Sequence, residues 1–261
     1  MSHWVLFIIT TVCIYIIASV VVLKLRIHKA YSYLKDMFPI GTMQFSDSSL
    51  RKKTSLNNIL VIGDSLARGV GATSPQHTIS GQLNSYYNVN VETFAIIGIT
   101  LNNFQLFKTR IESKQNDLII ISLGGNDLLQ YKSIKSFETL IKEICEYIHD
   151  KAKTILWIYP GSMVKGVPLL DGPLAPLRKL IKMRSEITDS LFLNITNTYD
   201  NIHFISYSFL SKNDTSNFFN KDGLHPGNNG YRVSTKPIID TINKIYRIRT
   251  ASTASTTNES V

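Results

Sequence analysis

The residues best suited to chemistry in this chain are a serine, an aspartate and a histidine that lie far apart in sequence. Ser65 sits in "VIGDSLARGVGAT" (residues 61–73), where an apolar, β-branched run breaks into Gly63, Asp64 and Ser65 and then into a glycine-rich loop. Near the other end, "DGLHPGNNG" (residues 222–230) sets Asp222 three positions before His225. A serine hydroxyl is a weak nucleophile until an imidazole takes its proton. The imidazole in turn needs a carboxylate to fix its tautomer and stabilise its transient charge. His225 and Asp222 are of the right types for those tasks. Acyl transfer also needs donors aimed at a developing oxyanion. The backbone N–H groups of Ser65 and of Gly98, in "AIIGIT", and the side-chain amide of Asn126, in "GGND", are suited to supply them. Each piece taken singly has a plainer reading. Gly, Asp and Ser favour turns and helix caps, and Asp222 with His225 could form no more than a capping turn. Asp64 and Asp127 are read here as caps or turn formers.

For these parts to meet, the chain must bring several loops to one edge. Short apolar runs at residues 58–63, 89–97, 117–124, 154–160 and 201–208 are rich in β-branched residues and read as strands buried on both faces. Helical patterns around residues 101–112, 136–150, 173–193 and 229–248 separate or follow them. A β-α alternation of this kind predicts a three-layer α/β/α sandwich around a five-stranded parallel sheet. Ligands in such sheets bind at the carboxyl ends of the strands, where Ser65, Gly98 and Asn126 fall. The segment 161–177, "GSMVKGVPLLDGPLAPL", is long, apolar and rich in Gly and Pro. It reads either as a border or lid of an acyl pocket or as an ordinary crossing loop.

The four blocks Gly63-Asp64-Ser65-Leu66, Gly98 after its strand, Gly124-Gly125-Asn126-Asp127 and Asp222-Gly223-Leu224-His225-Pro226 together resemble the motif blocks of the SGNH (GDSL-type) hydrolases. The resemblance covers roughly residues 57–249. It implies a flavodoxin-like sandwich with strand order 2-1-3-4-5 and hydrolysis of acyl esters or thioesters without a cofactor or metal. By matching positions it implies Ser65 as nucleophile, His225 as base and Asp222 as its orienting carboxylate. Ser65, Gly98 and Asn126 would form the oxyanion hole. Lysophospholipases, thioesterases, arylesterases and carbohydrate acetyl esterases all occur in that family, so the substrate is left open among lipid, carbohydrate and small-molecule esters. An acyltransferase built on the same triad, and a catalytically silent binding protein on the same fold, are the alternatives. A G-x-S-x-G elbow is missing, which separates the chain from the α/β-hydrolases.

Composition frames the rest. With 261 residues, 44% of them hydrophobic, the chain is long enough for one full core and an appendage. The appendage is at the start, where residues 4–23 carry no charge over about 20 positions, enough to cross a bilayer as a helix. A cleaved signal peptide fits less well, because no basic residue precedes the stretch. Lys24, Arg26 and Lys29 follow it at once, and by charge bias this orientation puts the catalytic bulk on the cytoplasmic side. The expected organisation is an anchor in residues 1–30, a linker in 31–56, a hydrolase domain in 57–249 and a disordered tail in 250–261. The net charge of +9 is scattered through several segments, among them "LRKLIKMR" (residues 177–184). For most of these residues a solvated helix face is the plainer reading; attraction to anionic lipid fits at least as well as nucleic acid, for which no zinc-finger, RRM or long Arg-rich pattern is present. Two cysteines, Cys13 and Cys145, make no disulfide framework. Neither a C-x-x-C pair nor an H-E-x-x-H motif suggests a metal, and the glycine-rich loop lacks the G-K-[ST] ending of a phosphate-binding P-loop.

Overall fold

The five apolar runs become parallel strands because each is followed by a helical segment that carries the chain back across the sheet. A computed structural model describes residues 3–34, 43–45, 55–130, 132–208, 210 and 217–247. In it the strands are β2 (Asn58–Gly63), β3 (Asn90–Ala95), β4 (Asn116–Ser122), β5 (Ala152–Tyr159) and β6 (Ile202–Ser206). Across the sheet they lie in the order β3-β2-β4-β5-β6, which is the 2-1-3-4-5 order expected. The chain crosses from one side of β2 to the other between β3 and β4, and that switch point opens a crevice at the carboxyl edge.

The sheet has one strand more than expected. β1 (Met43–Phe45) pairs antiparallel with β3, Met43 opposite Thr93 and Phe45 opposite Val91, and makes the sheet six-stranded. Those residues fall within the segment read as a linker. At three residues β1 is too short to show a period, and its register comes only from the edge that β3 offers. Residues 31–34, also read as linker, instead continue the N-terminal helix, while residues 35–42 and 46–54 and the tail at 250–261 lie outside the described residues.

Alternation along the strands sends side chains to two cores. Leu60 and Ile62 of β2, with Ile119 and Ile121 of β4 and Trp157 of β5, pack toward one layer. That layer contains α4 (Gln105–Glu112), α6 (Ile134–Ile148) and α7 (Ala175–Thr196). Ile59, Val61, Leu118, Ile120 and Ile158 face the other layer, with α3 (Ile79–Tyr87) and α8 (Asn228–Ile245). The helix α3 was not evident from pattern, because "ISGQLNSYY" is rich in small polar residues with weak helical preference. Its N-terminus is fixed by Thr78, whose hydroxyl accepts the Gly81 N–H at 3.1 Å. The helical pattern at 101–112 divides into a 3₁₀ turn (Leu101–Asn103) and α4.

Ahead of the sandwich stands α1 (His3–Leu34), longer than the apolar stretch that defines it. Its residues His3–Arg26 form a 24-residue apolar span, none of it fully buried in the protein, with Val22 and Leu23 half-buried against the core.

Candidate active site

At the carboxyl end of β2 the backbone is locked before it reaches Ser65. Asp64 N–H donates to the Ser122 carbonyl at the end of β4, at 3.0 Å. The Asp64 carboxylate caps the short helix α2 (Ser65–Arg68) by accepting the Leu66 N–H at 2.9 Å, and Ser122 Oγ lies 3.4 Å from the same oxygen. Burial pushes the Asp64 carboxyl up to about 6, against the pull of the Leu66 N–H, the neighbouring His225 and Ser122. Ser65, the first residue of α2, therefore sits at the sheet edge on a doubly anchored turn.

The histidine arrives on a loop that is braced at both ends. Asn220 N–H donates to the His225 carbonyl at 2.7 Å, and Gly227 N–H to the Phe218 carbonyl at 2.8 Å. Within the loop, Asp222 Oδ1 accepts the N–H groups of Leu224 and His225, both at 3.0 Å. Asp222 Oδ2 lies 2.6 Å from His225 Nδ1, and His225 Nε2 lies 2.8 Å from Ser65 Oγ. A carboxylate only accepts, so Nδ1 carries the proton and Nε2 is left to accept from the serine hydroxyl. Burial works to raise the Asp222 carboxyl, but the hydrogen bond and charge of His225 and the two backbone donors outweigh it and hold the group below its ordinary value.

The glycine-rich loop after α2 has a structural explanation. Gly71 has φ +97°, and a Cβ there would run into the Pro226 carbonyl, so this loop lies directly on the histidine loop. Thr73 N–H donates to Asn228 Oδ1 at 2.9 Å and Asn228 Nδ2 to Thr73 Oγ1 at 2.8 Å. The buried Tyr231 hydroxyl donates to the Val70 carbonyl at 2.7 Å. These bonds join segments about 160 residues apart and set the distance between Ser65 and His225. Tyr231 and Asn228 carried no sequence signal, because only the fold brings them to that loop. His77, at the end of a 3₁₀ turn, bonds Ser74 Oγ at 3.0 Å, and it is not among the residues lining the cavity beside Ser65.

Asn126 comes from α5 (Gly125–Leu129), directly after β4, and lines the same cavity as Ser65 and His225. Its Nδ2 donates one proton to the Ile99 carbonyl at 2.9 Å, which orients the amide and leaves the second proton free to turn toward a ligand. Gly98 is not a wall of that cavity. It lies in the exposed turn after β3 with φ +77°, coupled to the site through Ile99. The same turn is held by Asp127, fully buried, whose Oδ2 accepts the Leu101 N–H at 3.0 Å while Oδ1 pairs with Lys132 Nζ at 2.7 Å. Asp127 thus does more than cap a turn, since it fixes the loop that carries Gly98 against the loop that carries Asn126.

The cavity above Ser65 has a volume of about 320 Å³. Its polar floor is Ser65, His225 and Asn126, and its walls come largely from the segment after β5, with Met163, Val167, Leu169 and Leu170. Leu177 and Ile181 of α7 extend those walls, and Leu23 of α1 also reaches the lining. Leu169 N–H donates to the Gly223 carbonyl at 2.9 Å, which joins the apolar wall to the histidine loop. Among the described residues, no group of three or more His, Cys, Asp or Glu side chains is placed to hold a metal ion.

Comparison with known proteins identifies the family and the fold. Residues 61–233 match the profile of the GDSL-like lipase/acylhydrolase family. Among solved structures, the psychrotrophic esterase EstA from Pseudoalteromonas sp. superposes with a TM-score of 0.54 at 19% identity, covering 72% of this chain and 98% of that one. The acetylxylan esterase Axe2 from Geobacillus stearothermophilus gives 0.53 at 16% identity, with 74% and 96% covered. LAE5, described as an α/β hydrolase enzyme from the metagenome of Lake Arreo, gives 0.54 at 11% identity, with 75% and 95% covered. No curated protein matches the sequence. Because the family profile spans about two thirds of the chain, from β2 into α8, the protein belongs to the GDSL-like lipase/acylhydrolase family, the SGNH-type hydrolases of carboxylic esters.

Proposed function

We propose that the protein is a membrane-anchored serine esterase that cleaves acyl esters through an acyl-enzyme on Ser65. The observation that carries this reading is the unbroken chain from Ser65 Oγ through His225 to Asp222, with links of 2.8 and 2.6 Å, at the floor of an apolar cavity. Ser65 Oγ attacks the ester carbonyl carbon as its proton passes to His225 Nε2, and the carbonyl electron pair moves onto oxygen. That oxyanion is received by the Ser65 N–H and Asn126 Nδ2, which line the cavity, with the Gly98 N–H as a third donor that would have to turn in from its exposed loop. Collapse breaks the bond to the alcohol oxygen, which takes the proton from His225 and departs. Water, losing a proton to His225, attacks the Ser65 ester in the same way, releasing the carboxylic acid and restoring the serine hydroxyl. Asp222 stays ionised throughout and stabilises the imidazolium. The similar Axe2 is an acetylxylan esterase, but a cavity walled by Met163, Val167, Leu169 and Leu170 favours acyl chains longer than acetyl here.

The span His3–Arg26 is the anchor in this reading, and the basic residues after it favour a cytoplasmic catalytic domain. A reporter active only outside the cytoplasm, fused after Val261, should stay silent; an active fusion would overturn that orientation. The catalytic reading is tested with the full chain in mild detergent, comparing wild type and Ser65→Ala on p-nitrophenyl esters from acetate to palmitate. Turnover by wild type alone, rising with chain length, is expected. Equal rates for the two proteins would overturn the assignment of Ser65.

A further inference from the structure

The helix α1 is more than a tether, because it docks on the wall of the catalytic cavity. Arg26 Nη1 donates to the carbonyls of Leu169 at 2.7 Å and Asp171 at 2.9 Å, clamping the 3₁₀ turn Pro168–Leu170 that forms part of that wall. Farther up the helix, the Tyr15 hydroxyl donates to the Pro173 carbonyl, and Ser19 Oγ lies 3.5 Å from the same oxygen. Between helix and wall runs an apolar groove of about 240 Å³, bounded by Ile16 and Val20 on one side and Pro173 and Pro176 on the other. Leu23 and Leu177 line both this groove and the cavity that holds Ser65, so the two spaces adjoin.

Depth identifies what fills the groove. At about 1.5 Å of rise per residue, Tyr15 lies roughly 16 Å along the helix from Arg26. A hydrocarbon core is about 30 Å thick, so the groove extends to about the middle of a bilayer that the span crosses. At that depth the surrounding medium is lipid acyl chain. The first turns of α7 continue the same character, with Leu180 and Met183 exposed beside Lys179 and Lys182, a pattern suited to an anionic membrane surface.

We propose that the groove between α1 and residues 173–177 is a lateral portal through which the acyl chain of a bilayer-resident ester reaches Ser65. The substrate class is then a lipid ester drawn from the adjoining leaflet, with its scissile carbonyl at the membrane surface. This inference rests on the esterase reading above.

The test uses the full chain in phosphatidylcholine vesicles, with active sites counted by titration with a small organophosphate. Turnover of vesicle-dissolved p-nitrophenyl palmitate is compared with that of water-soluble p-nitrophenyl acetate, which shares its leaving group. Wild type should prefer palmitate. Leu23→Trp and Val20→Trp, which fill the groove, should lower the palmitate-to-acetate ratio at least tenfold. Ile9→Trp, exposed on α1 and not a groove residue, should keep the ratio within twofold. A wild-type ratio in both groove variants, or acetate turnover without palmitate turnover, overturns the portal and leaves the esterase intact. Silence of wild type toward both esters overturns the esterase reading and the portal with it.

Discussion

The floor and the walls of the proposed catalytic cavity are built by opposite means. On the floor, every polar group is fixed by directed bonds: Asp222 accepts from two backbone N–H groups and faces His225, Asn126 is turned by the Ile99 carbonyl, and Asp64 is held to Leu66 and Ser122. On the walls, Leu23, Met163, Val167 and Leu177 contribute apolar surface without directed bonds of their own side chains. Directed bonds fix positions to tenths of an ångström, which proton transfer requires. Apolar surface discriminates only by area, which is enough for selecting acyl length and leaves the pocket adaptable. The difference implies that floor variants lose rate and wall variants change preference.

The strongest test of that division is His225→Ala, which should lower kcat by about 10⁴-fold or more while leaving the cavity walls intact. Asn126→Ala should cost about 10²- to 10³-fold in kcat with little change in KM, as expected for a donor used in the transition state. A loss confined to KM would reassign Asn126 to substrate binding.

Asp64 sharpens the comparison through stability. Its folded-state carboxyl titrates at about 6 rather than 3.8, so between those values the unfolded chain ionises while the folded one holds its proton. Stability therefore falls as pH rises through this window, and the loss is complete above about 6, on the order of 3 kcal/mol. Asp64→Asn keeps a capping oxygen and removes the titration. Denaturant midpoints measured from pH 4 to 8 should fall for wild type and stay nearly level for the variant. The smallest effect belongs to the wall. Leu177→Ala should reduce the palmitate-to-acetate ratio about five- to tenfold, in keeping with about 1 to 1.4 kcal/mol of lost apolar contact. An equal loss on both esters would instead make Leu177 a positioning residue for the floor.

The same division explains what could be read from the sequence. Proton transfer tolerates few residue types, so Ser65, Asp222, His225 and Asn126 stood out, as did the parallel strands that deliver them. Apolar walls accept many types, and nothing in "IIASVVVL" marks Leu23 as a neighbour of Leu177. Supporting residues such as Tyr231 and Asn228 were equally hidden, because their partners at Val70 and Thr73 are supplied by tertiary packing, and Asp127 was legible as a turn former but not as the partner of Leu101. The strand β1 was concealed by its brevity. A fragment cut near residue 46, natural from the pattern of charge and serine, would lose β1 and expose the edge of β3.

The central claim is that Ser65 carries the acyl group between two half-reactions. It is tested most directly by quenching the full chain in acid during turnover of a p-nitrophenyl ester and measuring the mass of the peptide that contains Ser65. The account predicts an increment equal to the acyl group on Ser65, absent from Ser65→Ala, which should not turn over. Turnover at the wild-type rate by Ser65→Ala, or an acyl group found on another residue that wild type needs for activity, would contradict it.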